Sequence, residues 1–143
     1  MGKTKKINKK NIVIILSVLV VIAIVILVCF ILLSKKGDNK KDLETSLNNM
    51  GQTFYENFYY EQIGTSADER TSLLSKFTTV GIKIDLENLE RYNNGEFSDE
   101  IAKFENSLTE EKCNKTNTKV IIYPQSPYGK TDYKISTELD CGF

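Results

Sequence analysis

Cys113 and Cys141 have the most definite chemistry available in this chain. A redox pair of the CxxC kind holds its thiols two residues apart, and these two are far apart. The pair therefore predicts a structural disulfide, which persists in an oxidising compartment. Carboxylates gather at Asp85, Glu87 and Glu90 and again at Glu110 and Glu111, where calcium binding or paired acid and base groups are the chemistries to weigh. Neither group has the alternating oxygen ligands around a central glycine that a calcium loop requires, so both read as solvated acidic faces. The chain has no histidine, which removes the usual general base near neutral pH and the commonest neutral metal ligand. The expectation is a protein without metal, cofactor or catalytic residues, and not an enzyme. Asn114-Lys115-Thr116 fits a glycosylation acceptor, but the abundance of Lys, Asn and Ile points to a bacterial chain.

The remaining chemistry is aromatic. In the run Phe54-Tyr55-Glu56-Asn57-Phe58-Tyr59-Tyr60, residues 54, 55, 58 and 59 share one face of a helix, and burial accounts for them. Tyr60 points elsewhere, and Tyr128 sits at the tip of a loop. These two are the candidate contact residues.

The elements that position these groups follow from periodicity. Leu43, Leu47, Met50, Phe54 and Phe58 recur at helical spacing from Asp42, with Tyr55, Tyr59 and Ile63 widening the stripe and Gly64 ending it. Ser66-Ala67-Asp68-Glu69 is a capping box that opens a second helix burying Leu73, Leu74 and Phe77 and ending near Gly81. Asp85 caps a short helix carrying Leu86, Leu89 and Tyr92, closed by Asn93-Asn94-Gly95, and Ser98 begins another with Ile101, Phe104 and Leu108 inward. After Cys113 the period changes to two. Residues 119–123 and 133–141 read as strands of an antiparallel hairpin around the loop 124–130, with an even register setting Ile121 and Tyr123 beside Tyr133 and Ile135. The fold class is α+β, with the hairpin packed on the long helix in a domain over 42–143.

Ahead of that domain, residues 12–33 carry no charge. As a helix rising about 1.5 Å per residue they would reach roughly 33 Å, enough for a hydrocarbon core of about 30 Å. The reading is one transmembrane helix, an uncleaved signal anchor whose partner is the lipid bilayer, after a basic tail over 1–11 and before a connector over 34–41. Lys3, Lys5, Lys6, Lys9 and Lys10 place the tail in the cytoplasm, and the disulfide places the domain outside. Those five lysines leave 14 of the 19 cations against all 19 carboxylates beyond the apolar segment, a net charge of −5 there. Such a domain repels nucleic acid.

A basic tail, an apolar helix leading into an amphipathic one, a small sheet against it and a disulfide near the C-terminus together resemble the layout of type IV pilins and pseudopilins. The segment begins Asn11-Ile12-Val13-Ile14, without the glutamate those families carry early in the helix. The layout is also similar to small anchored bacterial envelope proteins. The function expected is a membrane-anchored, non-enzymatic binding or structural module outside the cytoplasm, with an envelope protein as partner. The resemblance implies a pilin-like assembly subunit as the alternative.

Overall fold

A computed structural model describes residues 17–28 and 38–143 of the chain, which divides into two compact units, Met1–Gly37 and Asp38–Phe143. In the first unit the described residues form helix α1 over 17–28. The expected transmembrane helix is corrected here, because among the described residues no helix is long and apolar enough to cross a membrane. Residues 12–16 and 29–33 of the expected span, the tail 1–11 and most of the connector (34–37) lie outside the described residues.

The second unit is α+β. Helix α2 (Lys40–Phe54) runs without a break into a π-helical turn (Tyr55–Tyr59) and a last helical turn α3 (Tyr60–Gln62). Then come α4 (Ala67–Ser75), strand β1 (Ile82–Asp85), α5 (Leu86–Arg91), the short α6 (Ser98–Ile101), β2 (Lys119–Pro124) and β3 (Tyr133–Glu138). The expected hairpin is one part of a three-stranded antiparallel sheet of order β1-β2-β3. Its third strand, Ile82-Lys83-Ile84-Asp85, lies in a stretch read from sequence only as the approach to a helix. Four residues alone cannot define a strand. β1 exists because Ile82 pairs with Ile122 and Ile84 with Val120, far along the chain.

The hairpin register is also corrected. Val120 stands opposite Thr137, Ile122 opposite Ile135 and Pro124 opposite Tyr133, so the even residues of β2 share the core face with the odd residues of β3. The physical reason is that β2 is the central strand and is buried on both sides. Val120 and Ile122 face α2, while Ile121 is covered from the other side by Gly81, whose φ of +70° brings the backbone against the Ile121 and Tyr123 side chains. A strand apolar on both faces does not reveal from its own sequence which face meets the helix.

Along α2 the buried residues are Leu43, Leu47, Met50 and Gly51, followed by Tyr55. Gly51 is the point of closest approach to the sheet. A methyl group built there would stand 2.7 Å from Val120 Cγ2 and nearer still to Cγ1. Beyond it the Tyr60 N–H reaches back to the Tyr55 carbonyl, and this π turn inserts one residue into the stripe. Phe58, expected in the core, is turned outward and is 44% exposed, while Tyr59, Tyr60 and Ile63 pack against the core.

The local start signals hold. Ser66 accepts from the Glu69 N–H at 3.2 Å, although the Glu69 carboxylate bonds Thr65 N and Oγ1 and not the Ser66 amide. Those two bonds hold the Glu69 carboxyl below its usual range. Asp85 accepts from Asn88 N at 2.8 Å. The helix expected from Ser98 is a single turn. Ile101 and Phe104 are buried as expected, but Leu108 is 57% exposed on a loop and does not face the core.

The chain end is tied by covalent and polar bonds. Cys113 and Cys141 form the expected disulfide, outside the strands and buried. Beside it Asn114 N donates to the Asp140 carbonyl at 2.8 Å and Asp140 N to Thr118 Oγ1 at 3.0 Å. The buried Asn106 donates to the Gly142 carbonyl at 3.0 Å and accepts from Leu108 N at 2.9 Å. Asn39, expected in the connector, is part of the unit: it donates to the Glu105 carbonyl and accepts from Ser107 N, which fixes the start of α2.

Two stability measurements check this packing. Gly51→Ala gains about 1 kcal/mol of helix propensity but overpacks a site where the added methyl meets a fully buried Val120, and the expected net is a destabilisation of about 1–2 kcal/mol by denaturant melts. Cys113→Ser, Cys141→Ser and the double variant should each lose the same ~3 kcal/mol, as expected for opening a loop of this length. A difference between the single variants larger than ~1 kcal/mol would mean that one sulfur contributes beyond the bond.

Candidate binding surface

Among the described residues no group of three or more His, Cys, Asp or Glu side chains is placed to hold a metal ion. The acidic runs are spent on local bonds. Asp85 caps α5, Glu87 pairs with Arg91 at 3.5 Å, and Glu90 takes Lys115 on both oxygens at 2.7 Å. Glu111 stands beside Gly142 at the chain end, away from that group.

The structure brings the two candidate contact residues together. The Tyr60 hydroxyl donates to the Tyr128 carbonyl at 3.3 Å, and the Tyr128 hydroxyl lies 3.4 Å from Thr78 Oγ1. Tyr128 holds a left-handed backbone with φ +67°. The Arg70 guanidinium covers the Tyr60 ring at 4.7 Å, and Lys130 reaches Glu61 at 3.7 Å across the same loop. Both tyrosines are half-buried, and much of each is engaged in fastening the loop 124–132 to α3 and the turn after α4. They serve the fold more than they offer a free surface.

Behind them lies a tyrosine cluster centred on Tyr55, which is fully buried. Its ring meets Tyr133 edge-on at 5.1 Å and lies 6.0 Å from Tyr59 and 6.2 Å from Tyr60. Tyr133 donates to Glu56 Oε1 at 2.7 Å, whereas the Tyr55 hydroxyl has no hydrogen-bond partner among the described residues. Burial, with three neighbouring tyrosines, pushes the Tyr55 phenol well above its ordinary value, and burial also raises Tyr59. Tyr133 is pushed up to about 12, by burial first and then by its bond to Glu56.

The more open aromatic surface is elsewhere. Phe58 meets Phe54 at a tilt at 5.2 Å and Tyr92 edge-on at 6.0 Å, and Tyr92 in turn lies on Phe97 at 5.5 Å. Alongside, Phe54, Tyr59, Ile82, Lys83, Ile84 and Asn88 line a groove of about 180 Å³ beside β1, an edge strand of the sheet. A wider groove of about 460 Å³ runs between α2 and the α6 region, floored by Leu43 and Phe104 and rimmed by Asp42, Glu96, Asp99 and Glu100. Sequence reasoning missed the groove beside β1, because it needs both the helical stretch that sets Phe54 and Tyr59 beside the sheet and the unrecognised strand. The alternation of Ile82 and Ile84 with Lys83 and Asp85 straight after Gly81 was the available signal. Comparison with known protein families, curated proteins and solved structures finds no match.

What this arrangement can do is bind through apolar and backbone contacts. The tyrosine cluster gives a pH test. Unfolded tyrosines ionise near their ordinary value of 10, while Tyr55 and Tyr133 resist ionisation in the folded state. Their contribution is present in full below pH ~10 and is lost as pH rises from there through the raised folded values. Alkaline unfolding followed by circular dichroism should therefore set in above pH ~10, and Tyr55→Phe and Tyr133→Phe should each move it upward. At pH 7 Tyr133→Phe should lower stability by about 1 kcal/mol through the lost bond to Glu56, and Tyr55→Phe should not lower it at all.

Proposed function

We propose that the chain is a non-enzymatic binding or structural module that works outside the cytoplasm, held at a membrane by the apolar segment 12–33 and contributing to a complex of the cell envelope. The observation that carries this reading is the buried Cys113–Cys141 disulfide. A fold of this size has a small core, and a bond that adds about 3 kcal/mol is a large share of its stability, so the module belongs where disulfides persist. The uncharged segment 12–33, behind a tail of five lysines, supports attachment to lipid with the tail in the cytoplasm. The groove beside β1 supports binding, since an apolar slot along an edge strand suits backbone pairing with side chains seated next to it. A pilin-like assembly subunit is the second reading, favoured by a long helix lying on an antiparallel sheet that a C-terminal disulfide closes.

In intact cells expressing the full chain with a C-terminal tag, external protease should remove the tag, the protein should sediment with membranes, and its two domain cysteines should resist alkylation until reduced. A tag protected until the membrane is breached, or free thiols at Cys113 and Cys141, would overturn the location. Filaments containing the chain in the sheared surface fraction would decide for assembly over a stationary module.

A further inference from the structure

The sheet ends at β1, whose last carbonyl, that of Asp85, opens α5 by accepting the first bond of that helix, and among the described residues no further strand pairs with the free side of β1. Every second residue of an edge strand directs its N–H and C=O outward, which is a template for a further strand. Ile82 and Ile84 face the core, and Lys83 and Asp85 face the other side. Lys83 makes no ion pair among the described residues, and Asp85 uses Oδ1 on Asn88, with Oδ2 left over.

We propose that the β1 edge is a self-docking surface, on which a second copy of this chain adds its own β1 antiparallel across a two-fold axis through Ile84, joining two three-stranded sheets into one. The charges select the occupant and the register. For two copies, outward-pointing residues must oppose outward-pointing residues, which admits two-fold axes only at a residue. An axis at Lys83 sets two lysines face to face, and one at Asp85 sets two aspartates face to face. The axis at Ile84 sets Lys83 of each copy opposite Asp85 of the other, and Ile84 against its own mate on the core side. A lone lysine on an edge strand repels a second copy, but lysine and aspartate two residues apart are self-complementary. The groove lined by Phe54, Tyr59, Ile82 and Ile84 then continues the apolar face on each side of the axis.

The inference stands on β1 alone and does not depend on where the protein resides. The test is sedimentation velocity of the full chain in density-matched detergent over a range of concentrations. Wild type should show twice the chain's mass, Lys83→Asp should weaken the association at least tenfold, and so should Asp85→Lys. An equimolar mixture of the two variants should restore it, because both cross-strand pairs then oppose opposite charges. Since Asp85 also caps α5, amide exchange on wild type supplies a second reading: protection at residues 82–85 should rise with concentration. A wild type that stays monomeric, leaving the edge to an extended peptide of another protein, overturns the proposal. So does an association that Lys83→Asp leaves intact, or β1 exchange that is independent of concentration.

Discussion

The approach of α2 to β2 at Gly51 and Val120 sets the rest of the unit. A helix can lie this close to a sheet only where its residue has no side chain, and the two Val120 methyls fill the space that a Cβ would take. That contact fixes which face of β2 looks toward the helix, and because strand residues alternate, it fixes the face of every residue from 119 to 124. The pairing of β3 follows, with Thr137 and Ile135 opposite Val120 and Ile122. β1 follows too, with Ile84 and Ile82 on the same side. Ile121 must then face away, and it is buried only because Gly81 lets the chain after α4 fold over it.

The surface features are consequences of that constraint. Beyond Gly51 the helix continues, and a regular α-helix would carry the stripe on through Phe54 to Phe58. Tyr55, four residues after Gly51, enters the core in the regular phase and meets Tyr133, and the π turn that begins there shifts the phase so that Phe58 leaves it. The buried ring of Tyr55 brings its hydroxyl into a site without a partner among the described residues, and the exposed ring of Phe58 forms a ladder with Phe54 and Tyr92 next to β1. One inserted residue thus sets the most open aromatic surface of the fold.

What was legible in the sequence was what is decided locally or by chemistry. The caps at Ser66 and Asp85 are decided within three residues, the alternation of β3 within six, and the disulfide by two cysteines placed to close the C-terminal sheet. What was not legible depends on partners far along the chain. β1 is a strand because of β2, the face of β2 is set by Gly51, and Leu108 is outside because the chain turns after Phe104 and runs back to bridge Glu105 with Lys112. The apolar segment 12–33 shows the limit of composition: the absence of charge states what such a segment tolerates around it, whereas among the described residues no helix is long and apolar enough to cross a membrane. At the candidate site, Tyr60 and Tyr128, each read separately from sequence as a candidate contact residue, lie side by side and are fastened to the fold by their hydroxyls or carbonyls.

Asp85 shows why function and folding share residues in a unit this small. It ends β1 and caps α5, so one carboxylate oxygen is committed to the Asn88 N–H and the backbone must turn from strand to helix at that residue. The turn keeps the edge short, which limits nonspecific pairing, since a four-residue edge offers few outward backbone groups to an arbitrary strand. The same commitment holds the Asp85 carboxylate rigidly at the strand end, two residues from Lys83, where a flexible acid would sample many positions. A short edge with fixed charges of both signs discriminates by register, and discrimination by register is what separates a specific contact from aggregation.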